Sequence, residues 1–325
     1  MTLRQRPLLI AQDITKHYPV ASALPWTPPT AVHAVDGLSF DVPPGKTVSI
    51  VGESGCGKTT TIKLLLRLED PTSGRVLFRG RDIAGLDRNE EARFRRSVQA
   101  VFQNPYSSLD PRMRVSDLIG EPLLIRGGIS RDELRNEVER QLDAVGLDRT
   151  VINSFPHELS GGMRQRVAIA RALILQPDLI ILDEPVSALD VSVRAQIMNL
   201  FKEIQDNSGV AYVLISHDLA TTRYLSHQVL VMYLGQMVET AECNELYSNP
   251  LHPYTVALIE ASVPARRWET DSEKEVLDSD LPSPMAPPPG CRFHTRCPRA
   301  FSRCPVDVPQ LREVSPGHRV ACHLY

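Results

Sequence analysis

A chain of 325 residues, 42% apolar and 23% charged, can bury a substantial core and has the make-up of an ordinary globular protein. Its formal net charge of −3, with both signs interspersed, leaves no basic footprint for nucleic acid. The longest apolar runs, LIIL at 179–182 and VLVMYL at 229–234, are strand-length and far below the roughly 20 residues that span a bilayer, which argues against a transmembrane helix. The opening MTLRQRPLLIAQDITKHY has too brief an apolar run for a secretory signal, so a cytoplasmic chain is expected.

Taken in chain order, an early strand pair comes first, broken into a long loop by PWTPPT at 25–30. The next expected strand, 47–51, runs into GESGCGKTT at 52–60 and then into the helical TTIKLLLRL. Gly52, Gly55, Gly57, Lys58 and Thr59 satisfy G-x-x-x-x-G-K-[ST], with Glu53, Ser54, Cys56 and Thr60 completing the loop. In that strand–loop–helix setting the backbone N–H groups converge on a phosphate and the helix turns its positive end to the same group. Lys58 is then placed to reach the β/γ-phosphates and Thr59 to bind Mg²⁺ through its hydroxyl. A tight glycine turn before a helix would account for the pattern taken alone.

Another strand is expected at 98–102. The strand signal then disappears between Asn104 and Glu158, where Leu134, Val138, Leu142 and Val145 fall near helical spacing, and an inserted helical subdomain is read there. LSGGMRQR at 159–166 opens a further helix, and Ser160, Gly161 and Gly162 make a second anion-binding end, or simply a helix cap. LIILDEP at 179–185 reads as a buried strand that delivers Asp183 and Glu184 to the ligand edge of a parallel sheet. There Asp183 can hold Mg²⁺ through water and Glu184 can polarise an attacking water, the bland alternative being a solvated acidic turn. Strands at 210–215 and 229–234 follow, with His217 just after the first. The alternation of strands and amphipathic stretches makes the fold α/β. The expected division is a core of 1–103 and 159–249, a helical subdomain of 104–158, and a C-terminal extension of 250–325 entered through the linker LPSPMAPPPG at 281–290.

These motifs together resemble the ATP-binding subunits of ABC transporters, whose signature is LSGGQ; here Met163 stands where the family has Gln. The resemblance implies a P-loop nucleotide-binding domain with a RecA-like core, an antiparallel β part and the inserted helical subdomain, hydrolysing ATP with Mg²⁺. It implies that Gln103 in VFQNP senses Mg²⁺ and the γ-phosphate, that residues 187–190, SALD, form the D-loop, and that His217 in ISHD is the switch histidine beside catalytic Glu184. Tyr18 in ITKHYPV would stack on adenine, although strand packing is a plain alternative. Two such subunits would close head to tail, with Ser160 and Gly162 of one facing the γ-phosphate held by the other.

Beyond the core, LHPYT at 251–255, the segment LPSPMAPPPGCRFHTRCP and the closing HRVACHLY resemble the dipeptide, oligopeptide and nickel importers, and most of all the second of their paired ATPases. NPYSSLDPRM after Gln103 has the form seen in that branch where a permease docks. The implied partners are a sister ATPase, two transmembrane permeases and an extracytoplasmic substrate-binding protein, with this subunit peripheral on the cytoplasmic face of the membrane. The rival readings are a soluble ABC-type ATP clamp and a redox-responsive regulator, neither with a permease.

Four of the six cysteines, Cys291, Cys297, Cys304 and Cys322, fall within the last 35 residues, spaced x5, x6 and x17. A cytosolic setting disfavours disulfides, so a metal site is the leading reading, with an unmetallated tail as the alternative. Cys297 and Cys304 are each followed by Pro, an arrangement similar to cluster-binding cysteines in ferredoxins, and thiolates suit a [4Fe–4S] cluster or zinc. His294, His318 and His323 are alternative ligands or polar surface. Cys56, beside Lys58 at a helix start, is expected to have a lowered thiol pKa and to be alkylated with loss of ATPase activity; a small residue that merely fits is the alternative. Cys243 has no such surroundings and is expected to be inert.

Overall fold

The computed structural model describes residues 6–20, 30–104, 108–262 and 281–325. Two compact units are present, one built mainly of Leu86–Leu214 and the other of Pro7–Val42, Thr47–Gly85 and Ile215–Tyr325. The last part of the chain, Ile215–Tyr325, lies in the second unit. The proline loop at 25–29 and residues 105–107 of NPYSSLDPRM lie outside the described residues.

In the Leu86–Leu214 unit, helix α2 (Arg88–Ser97) starts with a reciprocal cap between Asp87 and Glu90 and leads into strand β6 (Val98–Val101). Three strands lie in the order β8-β7-β6, where β7 is Leu179–Asp183 and β8, which begins in this unit, is Ala211–Ser216. β6 and β7 pair in parallel, and every residue of β7 but its terminal Asp is buried, which is why LIIL reads as an unbroken apolar run. The helical insertion contains α3 (Val115–Arg126) and α4 (Arg131–Ala144), the latter capped by Ser130 and Glu133. These pack on each other and on α5 (Gly161–Leu173). α6 (Val191–Ser208) completes the unit.

The second unit has two sheets. Strands β1 (Leu9–Val20), β2 (Thr30–Val42), β4 (Ser73–Phe78) and β5 (Arg81–Asp82) form an antiparallel sheet ordered β2-β1-β4-β5. In the other sheet β3 (Thr47–Val51), buried at all five positions, pairs in parallel with β9 (Gln228–Tyr233), as expected of a strand covered on both faces. Beyond β9 come β10 (Gln236–Glu242), β12 (His318–Val320) and β11 (Arg312–Ser315), all antiparallel. The tail thus extends this sheet. Helix α1 (Lys58–Leu65) follows β3, and α7 (Leu219–Leu225), α8 (Cys243–Ser248) and α9 (Pro253–Ser262) follow β8 and β10. Phe293 from the tail is fully buried with Val231, Tyr233, Leu246 and Tyr254 in the core of this unit.

Candidate active site

The loop between β3 and α1 is glycine-rich because other backbone crowds it. Gly57 has φ +109, and a Cβ there would lie 2.1 Å from the Ala34 carbonyl oxygen of β2, so only glycine fits. The Gly235 N–H donates to Cys56 O at 2.9 Å and fixes the loop from its other side. Lys58 is buried and its ammonium donates to Gly52 O at 2.7 Å and Glu53 O at 2.8 Å. The helix that follows has no side-chain N-cap and no acidic residue in its first turn, while Ser54, Gly55 and Thr59 are exposed. The N–H groups of a helix start, which have no intrahelical partner, and a lysine held inside its own loop are donors suited to a polyphosphate. The Thr59 hydroxyl is the donor suited to Mg²⁺.

Tyr18, near the end of β1, is half-buried and donates its hydroxyl to Glu69 at 2.5 Å, with Lys16 Nζ 5.2 Å from the ring centre. Burial, then Glu69, raises its pKa, so it remains a neutral phenol with an aromatic face. His217 is exposed one residue before Asp218, which caps α7 through the Ala220 and Thr221 N–H groups.

In the other unit, Asp183 ends β7 and Glu184 follows with φ +46, a left-handed conformation uncommon for a residue with a side chain. Such local strain concentrates at functional positions. Gln103 Nε2 donates to Glu184 Oε2 at 2.8 Å, bringing together two residues 81 apart in sequence. Ser160 is the N-cap of α5 and accepts from Met163 N at 3.4 Å. A Cβ on Gly162 would meet Val193 Cγ1 at 2.5 Å, so the signature glycine lets α6 approach the start of α5.

Cys56 corrects an expectation. Its side chain has no exposed surface, and burial pushes the thiol pKa up, an effect that Lys58, 3.8 Å away, does not reverse. Desolvation outweighs the nearby positive charge here. Cys56 is accordingly expected to stay unmodified when the folded chain is treated with an alkylating reagent at neutral pH, and to react once the chain is denatured; peptide mass spectrometry reads both. Rapid labelling of the folded chain at Cys56 would contradict its burial. Cys243 is also buried, its thiol pushed up to about 11.

Among the tail cysteines, Cys304 is buried and the other three are half-buried, all of them free thiols. Burial pushes Cys291 up to about 11, with the other three thiols adding in the same direction, and it raises Cys297 and Cys322 likewise. No three of these sulfurs lie within 4.8 Å of one another, whereas tetrahedral zinc with Zn–S of about 2.3 Å would need them roughly 3.8 Å apart. The compact zinc set is therefore absent from these described residues. His318 is neither a ligand beside the sulfurs nor surface: it is buried, with Nε2 2.8 Å from Glu239 Oε1. His294 Nδ1 contacts Cys291 O at 2.8 Å, and His323 Nε2 contacts Asp307 O at 2.9 Å.

Sequence reading missed what holds the phosphate loop from the C-terminal side. Arg296, between Cys291 and Cys297, donates to Glu53 Oε2 at 2.9 Å, and the Tyr254 hydroxyl accepts from Glu53 N at 2.8 Å. Arg292 pairs with Asp36 and donates to Leu234 O. The one compact cluster of potential metal ligands among the described residues, His17, His33 and Asp36, is closed by that Arg292 pair. Burial pushes the Asp36 carboxyl up, but Arg292 and then His17 pull it below the usual carboxylate range. The tail motifs were visible in sequence, but their partners lie too far away along the chain for any local pattern to reveal.

The chain matches the family model described as ABC transporter over residues 35–187, and the model described as oligopeptide/dipeptide transporter, C-terminal region, over residues 238–304. It is 46% identical to a di/tripeptide transport ATP-binding protein of Pseudomonas aeruginosa, over 97% of each chain. It is 47% identical to an oligopeptide transport ATP-binding protein of Bacillus subtilis, over 99% of this chain and 98% of that protein. Among solved structures, it is similar to a dimeric ATP-binding cassette in a post-hydrolysis state bound to ADP and Pi, with TM-score 0.64, 29% identity, and coverage of 72% of this chain and 98% of the other. CbiO1 from Clostridium perfringens, part of the ABC transporter complex cbiONQ, matches with TM-score 0.65 and 25% identity over 79% of this chain and 96% of that one.

Proposed function

The chain belongs to the ATP-binding subunits of ABC transporters, in the dipeptide/oligopeptide branch, and from that membership we propose that it powers peptide import by binding and hydrolysing ATP at GESGCGKTT. The observation that carries this is the extent of the likeness, which runs through the oligopeptide/dipeptide C-terminal region as well as the ABC core. The rival readings as a permease-free clamp or regulator lack that support.

In this proposal the loop N–H groups and Lys58 bind the phosphates, and Tyr18 gives adenine a face to stack on. Thr59, Gln103 and Asp183 hold Mg²⁺, which neutralises charge on the phosphates when bound. Glu184 orients water and takes its proton, His217 contacts the terminal phosphate, and Ser160, Gly161 and Gly162 offer a helix start to the nucleotide held by a second subunit. ATP binding closes that head-to-tail pair and hydrolysis with phosphate release reopens it.

No helix among the described residues is long and apolar enough to cross a membrane, so the transport path is assigned to separate permeases, with this subunit peripheral to the membrane. A groove of about 410 Å³ lined by Phe102, Leu109, Pro122, Ala168 and Arg171 supports permease docking in the helical region. The remaining proposed partners are a second ATP-binding subunit and an extracytoplasmic peptide-binding protein. Extraction of the tagged chain from native membranes in mild detergent is expected to recover two polytopic permeases and a sister ATPase, identified by mass spectrometry. Recovery of soluble partners only, from an extract that preserves other membrane complexes, would overturn the transport reading.

For the tail we propose a [4Fe–4S] cluster held by Cys291, Cys297, Cys304 and Cys322. The reading rests on the sequence, where four cysteines gather in the tail and Cys297 and Cys304 are each followed by Pro; the arrangement of the sulfurs adds nothing to it. Anaerobic purification is expected to give a brown protein containing iron and acid-labile sulfide; a colourless chain carrying zinc or no metal would refute it.

A further inference from the structure

We infer that Arg296 is a positioning residue for the phosphate loop: a tail side chain 243 residues downstream fixes and neutralises Glu53, the second residue of GESGCGKTT. This rests on the reading of that loop as the ATP site and adds a residue outside the motifs that define it.

Three polar groups of Glu53 are occupied. Its carbonyl oxygen receives the Lys58 ammonium, its N–H donates to the Tyr254 hydroxyl, and its carboxylate Oε2 accepts from Arg296. The other carboxylate oxygen, Oε1, is buried with no hydrogen-bond partner, so the guanidinium is the group that offsets the carboxylate's charge. Arg296 is itself rigidly seated. Its side chain is 3% exposed, Nη1 lies 3.4 Å from the Tyr233 hydroxyl, and the guanidinium carbon is 5.8 Å from the Tyr233 ring centre. Its backbone N–H donates to Phe293 O. Behind it Tyr233, Tyr254 and Phe293 pack ring against ring at 4.8 to 5.4 Å.

Two consequences follow for a loop that must hold a polyanion. A carboxylate inside the loop repels phosphate unless it is neutralised, and Arg296 supplies the positive charge at short range. The same contact, with Tyr254, fixes the 52–53 backbone whose two carbonyls hold Lys58, so the lysine starts from one place. Arg296 therefore acts through Glu53 and Lys58 rather than on the nucleotide.

The test is ATP affinity of the full-length chain, read with a fluorescent ATP analogue and Mg²⁺, alongside thermal melting. Arg296→Ala is expected to weaken binding about tenfold, and Glu53→Gln placed in that background to restore most of the loss, since the uncompensated charge is gone. Arg296→Lys, which keeps charge without the planar fork, should fall between. A merely structural ion pair would lower the melting temperature but leave no recovery of affinity on adding Glu53→Gln. Unchanged affinity in Arg296→Ala, or a loss undiminished by Glu53→Gln, overturns the inference. If Arg296→Ala does not fold, the pair Glu53→Gln, Arg296→Gln carries the test: affinity within about twofold of wild type supports it, and a tenfold loss refutes it. A wild-type chain that binds no ATP would instead bring down the functional reading beneath it.

Discussion

Glu184→Gln is expected to lower ATP turnover by about a hundredfold or more while leaving ATP affinity within about threefold of wild type, because it removes a base and little else. Glu184 is not a surface acid that happens to follow a strand. It sits at φ +46 directly after the buried β7, and the amide of Gln103 donates to its Oε2 at 2.8 Å. A glutamine in its place still presents a carbonyl oxygen to that amide, so the local geometry survives. What disappears is the capacity to accept a proton from water. Binding without hydrolysis should then accumulate the closed pair of subunits, visible as an ATP-dependent dimer in size-exclusion chromatography. Hydrolysis at the wild-type rate would contradict the role given to Glu184, and loss of ATP binding would mean that the side chain shapes the site instead.

What could be read in advance follows physical lines. Strands buried on both faces announce themselves: TVSIV and LIIL needed no partner to be recognised, and the observed β3 and β7 begin where expected. The helices of the insertion were equally plain, since Leu134, Val138 and Leu142 fall at helical spacing within what is observed as α4. The tail was not. REVS and HRV are too short and too polar to read as strands, and they exist because β10 offers them an edge. Cys56 shows a second limit. Spacing put Lys58 and a helix start beside the thiol, both of which lower its pKa, but the folded loop leaves Cys56 no exposed surface, and burial decides the sign. The Arg296–Glu53 contact is the extreme case, where each residue is ordinary in its own neighbourhood and its role arises only when the chain ends are brought together.

Glu239→Ala is expected to destabilise the second unit by about 3–5 kcal/mol, the range seen when one member of a buried charged network is deleted. Glu239 lies within β10 with no exposed side-chain surface. Its Oε1 accepts from Leu251 N at 2.7 Å and lies 2.8 Å from His318 Nε2, while Oε2 accepts from His252 N at 2.9 Å. One carboxylate thus anchors both the turn into LHPYT and strand β12, whose Val320 is its direct partner across the sheet. Alanine would leave the buried His252 N–H, the part-buried Leu251 N–H and an imidazole without their acceptor. Glutamine, nearly the same shape, should also destabilise, by less, because its NH₂ would bring a donor to a place already lined with donors. The sign matters for function, since LHPYT carries Tyr254 and the tail carries Arg296, the two side chains that fix Glu53 in the phosphate loop. Melting temperature should fall by roughly 5 °C or more, with hydrogen exchange at 312–320 accelerating first. A melting temperature within about 1 °C of wild type, with exchange of the tail strands unchanged, would show that β12 and the LHPYT turn are held by their apolar contacts and that Glu239 is dispensable to them.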